Sequence, residues 1–278
     1  MLEQKSLTFP DGTIITGEFK DGLPNGHIKM TTAEGYTYVG EMKDGLPHGR
    51  GLETHPDGSR YEGEYKEGKR DGAGAYVDPS GMNYSGEFKD DRMDGQGTML
   101  LPDGRKYEGD FENDILNGRG TFESPDGRKY DGEWKHGRMH GQGTHTWPGG
   151  EKYEGEFFND RAHGKGKMTF PDGAEYVGEW ENGEETEGVM TWPDGKKYVG
   201  RFEGGLWSGE GSLAWPNGAI YTGEFKAGKM HGRGTMVLPD SIKYVGEWNE
   251  GFMHGEGTET YPDGSTKSGK WANGEFQE

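Results

Sequence analysis

A tyrosine beat governs this chain. Tyr38, Tyr61, Tyr84, Tyr107, Tyr130, Tyr153, Tyr176, Tyr198, Tyr221 and Tyr244 stand 23 residues apart, except for one step of 22 between Tyr176 and Tyr198. Ile15 and Lys267 hold the same slot at either end. A fixed period of this size marks a repeat architecture, in which each unit buries its apolar face against its neighbours. One copy, Arg105 to Gly127, shows the parts. They are aromatic-x-Gly-acid-aromatic, a polar loop, Gly-x-Gly, a short apolar-bearing run, and Pro-Asp-Gly.

The beat overrides what composition alone suggests. Hydrophobic residues make up 28%, the net charge is −19, and there are 54 glycines. Low hydrophobicity with high charge reads as disorder, but a disordered chain needs no aromatic register. In Lys106–Phe111, Tyr107, Gly109 and Phe111 alternate and share one strand face, with Glu108 and Asp110 on the other. In Gly118–Ser124, Gly118, Gly120 and Phe122 share a face. Runs this short suit strands and are too short for helices.

Two kinds of turn join the runs. Between them, in Glu112–Asn117, the seventh residue after the tyrosine slot is glycine in most copies and Asp91, Asp114 or Asp160 in the others. That set predicts a left-handed turn residue. In Pro102-Asp103-Gly104, proline presets the second turn position, aspartate suits the third and glycine the fourth. The expected fold is all-β. It is an elongated, single-layer, twisted antiparallel meander of about 12 hairpin units and about 24 strands, on the order of 110 Å long. Residues 1–278 form one array: a half-repeat cap at 1–14, eleven repeats at 15–266 and a half-repeat cap at 267–278. Its first strand runs from Ser6 to Phe9, and Lys5, Lys267 and Lys270 blunt the edges. Within the sheet, large rings are expected to lie flat over glycines, where no side chain competes.

These residues resemble the MORN (membrane occupation and recognition nexus) repeat. YEGEFFNDRAHGKGKMTFPDG at 153–173 carries the Tyr-x-Gly-Glu-Phe/Trp opening and the His-Gly-x-Gly pair. Tyr130, Gly132, Glu133, Trp134, Gly137, His140, Gly141 and Gly143 fall on the same pattern, as do Tyr221, Gly223, Glu224, Phe225, Gly228, His231, Gly232 and Gly234. The resemblance covers essentially the whole chain. It implies a groove-bearing hairpin sheet that acts as a scaffold or localisation module, that can bind partner peptides or pair with itself, and that has a proposed tie to membranes. The sequence departs from the pattern at Ile28, at Arg201, and at Gly183–Gly188, which is one residue short.

Site chemistry is weighed against this repetition. His48, His140, His163, His231 and His254 share a slot with Asn25, Asp71, Asp94, Asn117 and Ser208. Units about 10 Å apart cannot share one zinc, so the slot reads as a loop hydrogen-bonding position. The acids Glu18, Glu41, Glu64, Glu87, Asp110, Glu133, Glu156, Glu179, Glu224 and Glu247 form a ladder, expected to pair across strands with bases such as Arg50, Arg119, Lys165 and Arg233. The Gly-x-Gly pairs lack the helix a nucleotide fingerprint requires. No cofactor, metal or enzymatic activity is expected. An enzyme would be betrayed by one unique buried acid or histidine breaking the repeat.

There is no cysteine, no long apolar run and no signal-peptide layout, so the chain reads as cytoplasmic. Its acidity excludes nucleic acid as a partner and disfavours anionic lipid. The expected function is a scaffold presenting an aromatic groove to a protein partner, whether a peptide, a helix or a second copy. A membrane module and a filament subunit are the alternatives. All eight tryptophans lie between Trp134 and Trp271, and tryptophan is favoured at interface hot spots. The candidate partner-binding residues are therefore Tyr176, Trp180, Trp192, Tyr198, Phe202, Trp207, Trp215 and Tyr221.

Overall fold

The computed structural model describes residues 1–277. It contains 25 strands and, among the described residues, no helix. The chain divides into two compact units, Met1–Arg138 and Met139–Glu278. Within each, every strand pairs antiparallel with its neighbours in sequence. Each unit is thus an open meander of hairpins.

The hairpins are tighter than the sequence suggested. The loop expected at 112–117 shrinks to two residues, Asn113 and Asp114, with φ of 49° and 70°. Two consecutive left-handed residues close a turn whose twist matches that of the strands. The second strand therefore starts at Ile115 rather than Gly118. The sixth position after the tyrosine slot, not only the seventh, is left-handed: Asp21, Asn113, Asn159 and Ala227 all show it. The Pro-Asp-Gly turn is as expected. The Gly104 N–H donates to the Leu101 carbonyl (2.9 Å), and the Asp103 carboxylate accepts from the Arg105 N–H (3.1 Å).

The residues saved by the tight turn enter a bulge. Gly109 faces Gly120, but Phe111 faces Leu116, so Asn117, Gly118 and Arg119 share the single partner Asp110. A bulge frees backbone groups that need new partners. The ladder acid supplies one: the Asp110 carboxylate accepts from the Arg119 N–H (2.9 Å), and Glu18, Glu156 and Glu224 do the same for His27, Lys165 and Arg233 (3.0, 3.2 and 2.8 Å). The expected acid–base ladder is therefore corrected. Those acids engage the backbone N–H of the basic residues, because the bulge turns that N–H toward them.

The tyrosine completes the device. Tyr38 lays its ring over the cross-strand pair Gly40–Gly51, where a Cβ on Gly51 would stand 2.6–2.8 Å from the ring and hydroxyl. Its hydroxyl donates to the carbonyl of Glu41 (2.7 Å), the single residue that faces the bulge. Tyr61, Tyr84, Tyr153, Tyr176, Tyr198, Tyr221 and Tyr244 repeat both features. Phenylalanine would cover the glycines but leave that carbonyl without its donor, an unmade bond worth about 1–3 kcal/mol if buried.

The irregular copies follow from the same geometry. Ile15 and Ile28 replace tyrosine and glycine together, and the Ile28 side chain fills the space over Gly17. Near the far end, Lys267 replaces tyrosine and Phe276 covers Gly269. At Tyr107, buried Leu116 takes the place over Gly120, and the tyrosine ring swings against Phe122 (5.1 Å). The 22-residue step removes one bulge residue: Glu179 faces Glu187 and Trp180 faces Glu185, while Gly178–Gly188 and Tyr176–Met190 stay in register. A deletion elsewhere in the strand would turn every following side chain to the other face.

Three outcomes follow. Gly51→Ala should destabilise the protein by about 1–3 kcal/mol in urea unfolding, because the tyrosine ring is overpacked. The combined change Tyr38→Ile with Gly51→Ile, patterned on Ile15 and Ile28, should lose less than its two single changes added together. Ala227, at φ 49° without a glycine's freedom, should gain up to about 1 kcal/mol as Asn, which tolerates that region.

Candidate functional site

The tyrosine face is packed by its own rings. Most of the tyrosines meet the aromatic four residues on and the aromatic of the next hairpin, both edge-on; Tyr38 has Met42 in the first place, and Tyr107 lies tilted against Phe122. Tyr176 lies 5.3 Å from Trp180 and 5.1 Å from Phe202, and Tyr221 lies 5.1 Å from both Phe225 and Trp248. Edge-to-face pairs add about 0.5–1.5 kcal/mol each beyond burial. The ladder runs from Tyr153 to Phe276 in the second unit and from Tyr38 to Phe111 in the first.

This divides the eight candidate residues. Tyr176, Tyr198 and Tyr221 are fully buried, and Trp180 and Phe202 are 4% and 8% exposed. These five form the core, so the expectation that the recurring rings themselves are the open working surface is corrected. They need no second layer because the sheet's own glycines and neighbouring rings cover them. Trp192, Trp207 and Trp215 are only half-buried and keep one side in solvent.

Those three sit on the rim of the tyrosine face in the second unit. The Trp207 ring stacks on Tyr198 (4.8 Å, 14°) and meets Trp192 edge-on (5.8 Å). The Lys196 ammonium lies 4.6 Å from the Trp192 ring centre and 4.9 Å from that of Trp207. Cation–π contacts of this kind hold exposed rings in place at about 0.5–1 kcal/mol. The half-buried methionines Met190, Met230 and Met236 lie beside them on the same face. Methionine recurs on adaptable binding surfaces because its side chain is soft and unbranched.

The first unit carries a polar cluster that sequence reasoning missed. Glu53 is 8% exposed and takes the slot across from Tyr61. The Arg70 guanidinium reaches its carboxylate through Nε (2.8 Å) and Nη2, and packs over Tyr61 and Tyr76 at 5.0 and 4.9 Å. The Tyr36 hydroxyl donates to Glu53 (3.3 Å), and His55 Nε2 lies 3.6 Å from it. Burial and the Glu53 charge push the Tyr36 hydroxyl up to about 12 and drive Tyr65 higher still. The signal was present: Glu53 and Arg70 both stand where other copies place an apolar residue. Glu53 is the buried acid that an enzyme reading asked for. Its carboxylate is already held by the Arg70 fork, an arrangement suited to holding two hairpins together.

The other polar breaks are accounted for locally. Arg201 cannot accept the bulge N–H and lies exposed, 3.7 Å from Glu187. In the histidine slot, Asn25 donates to Asp44 (3.0 Å) and Asn117 accepts from the His136 N–H (3.1 Å), as a loop hydrogen-bonding position should. Opposite the tyrosines, shallow grooves floored by glycine backbone are lined by Val39, Leu52 and Ala75 in the first unit, and by Thr235, Val245 and Thr258 in the second.

The MORN-repeat model matches eleven segments: 16–27, 38–60, 61–82, 84–104, 107–127, 130–152, 153–175, 176–197, 198–220, 221–242 and 244–266. The chain belongs to the MORN-repeat family. The boundaries of these MORN repeats fall at the tyrosine slots, so the family pattern and the hairpin device are one feature. No curated protein matches the chain. Among solved structures, the TCP domain of Drosophila melanogaster SAS-4 (dCPAP) in complex with a proline-rich motif of Ana2 (dSTIL) is similar at 13% identity. It covers 54% of this chain and 83% of that one, with a TM-score of 0.36. The TCP10 domain of Danio rerio CPAP in complex with a STIL peptide shares 15% identity over 97% of this chain and 100% of that one, at 0.33. Virginiamycin B lyase from Staphylococcus aureus shares 9% over 96% and 84%, at 0.15. Likenesses this slight bear on no function of this MORN-repeat chain. No helix among the described residues is long and apolar enough to cross a membrane.

The tyrosines give the array an alkaline limit. Burial pushes Tyr84, Tyr176, Tyr198 and Tyr244 up to about 12, and the charges of Glu87 and Glu247 add to it at Tyr84 and Tyr244. An unfolded tyrosine ionises near 10. Below pH 10 both states are protonated and stability is full; between 10 and 12 only the unfolded chain loses protons, so stability falls. Spectrophotometric titration with circular dichroism should show phenolate formation delayed beyond pH 10 and rising together with loss of strand signal.

Proposed function

We propose that this MORN-repeat chain is a non-enzymatic protein-docking module and that it docks through the half-buried tryptophans of the second unit. The observation that carries the reading is the rim at Trp192, Trp207 and Trp215. Three large rings keep open sides there, whereas the ring ladder of Tyr176, Trp180, Tyr198, Phe202 and Tyr221 beside them is buried. Two of them are held by neighbours, Trp207 by Tyr198 and Trp192 by Lys196, so a partner would meet pre-ordered rings there and lose little side-chain entropy on binding. Tryptophan is over-represented among residues that dominate binding energy. The surrounding acidity favours a basic partner and faster association at low salt.

The test compares two surfaces of the folded protein. Trp192→Ala with Trp215→Ala strips the rim, whereas Val177→Thr with Val199→Thr alters the opposite face, where both valines are exposed. Proteins captured by the wild type, together with its mass by light scattering, form the baseline. The rim pair should lose a captured partner or an assembly that the valine pair retains. Identical capture and identical mass for both would overturn the reading.

A further inference from the structure

Two residues of the rim, Trp192 and Trp215, belong to a longer ridge. In the second unit the residue just before each turn proline is Trp147, Phe170, Trp192, Trp215, Leu238 or Tyr261, and all six are half-buried or exposed. In the first unit the same position is Thr32, His55, Asp78 and Ser124, with Phe9 and Leu101 as its two apolar members. Every one of the six has the same backbone setting. Its carbonyl accepts the N–H three residues on, at 3.0 Å for Trp147 and 2.9 Å for Phe170, Trp192, Trp215, Leu238 and Tyr261. Equivalent settings place the side chains at equivalent points of successive hairpins. Neighbouring members are therefore two strand steps apart, about 9.4–9.8 Å.

That interval selects a partner conformation. A polyproline II segment rises about 3.1 Å per residue with three residues per turn, so it presents the same edge every 9.3 Å or so. An extended strand presents one face about every 6.7 Å and falls out of step after one ring. A helix must use two turns, about 10.8 Å, and gains over 1 Å of error per ring. Each ring is also followed by a proline, so successive Trp–Pro pairs frame clefts with apolar walls, the type of surface on which proline rings dock. Two residues beyond the ridge position lies an acid at Asp172, Asp194, Asp240 and Asp263, with Asn217 after Trp215 and Gly149 after Trp147. A basic side chain in the partner, one per turn, would meet that row. We propose that the turn-side ridge centred on Phe170, Trp192 and Trp215 binds a proline-rich segment carrying lysine or arginine, in the polyproline II conformation. This rests on the docking reading above and names its partner class.

Three labelled peptides test it against the full chain by fluorescence anisotropy at about 0.15 M salt: (Pro-Pro-Arg)5, (Gly-Ser-Arg)5 and (Ala-Ala-Arg)5. They share charge and spacing, and differ in being polyproline II, flexible or helix-prone. The proline peptide should bind at least about tenfold tighter than the other two, and Trp192→Ala should remove about tenfold of that affinity. Trp215→Leu, which keeps an apolar side chain but no flat ring, should weaken it as well and guards against a variant that fails to fold. Tighter Trp192-dependent binding of the alanine peptide would overturn the polyproline proposal and leave the docking reading standing. Equal binding of all three, unchanged by Trp192→Ala, would overturn both, since charge alone would then account for it.

Discussion

Everything in this structure depends on a tyrosine lying over two glycines. A single-layer sheet has no second layer to cover its apolar face. Here the cover is made inside each hairpin: the ring fills the volume that two Cβ atoms would otherwise occupy, and its hydroxyl reaches the carbonyl that the bulge displaces. Glycine in a strand is ordinarily a weakness. In this chain it is the vacancy into which the core is built. That resolves how a protein with 28% hydrophobic residues and net charge −19 forms an ordered sheet.

The same device explains why the repeat is so strict, and where it can bend. Tyrosine, glycine and acid act as one group, because ring, hydroxyl and carboxylate satisfy three parts of a single bulge. Replacing one part alone leaves a clash or an unmade bond. The exceptions are paired changes, Ile15 with Ile28 and Leu116 with a displaced Tyr107, or a change confined to the bulge, as in the 22-residue step. Since each ring also touches the next hairpin's aromatic, stability is coupled between neighbours, as expected of a linear array.

Much of this was legible in sequence. Period, strand parity, the left-handed seventh position and the Pro-Asp-Gly turn all follow from spacing and residue type. The bulge was not, because nothing in one strand reveals that three residues of its partner share a single position. Missing it misplaced the start of the second strand and misassigned the acids to charge pairing. The site was half legible. A face assignment cannot tell a ring lying on glycine from one standing in solvent, which is why Tyr176, Tyr198 and Tyr221 group with Trp192 and Trp215 in the sequence. The Glu53–Arg70 pair was missed because its two members lie in different hairpins, and each looks like ordinary surface charge in isolation.

The most direct measurement is the proton chemical shift of the glycine α-hydrogens. Rings lying flat over Gly51, Gly74, Gly97, Gly166 and Gly234 should move those signals well upfield of the ordinary glycine range, while Gly120, covered by Leu116 instead of Tyr107, should stay within it. Ordinary shifts at all of these glycines, or a shifted Gly120 among unshifted neighbours, would contradict the account.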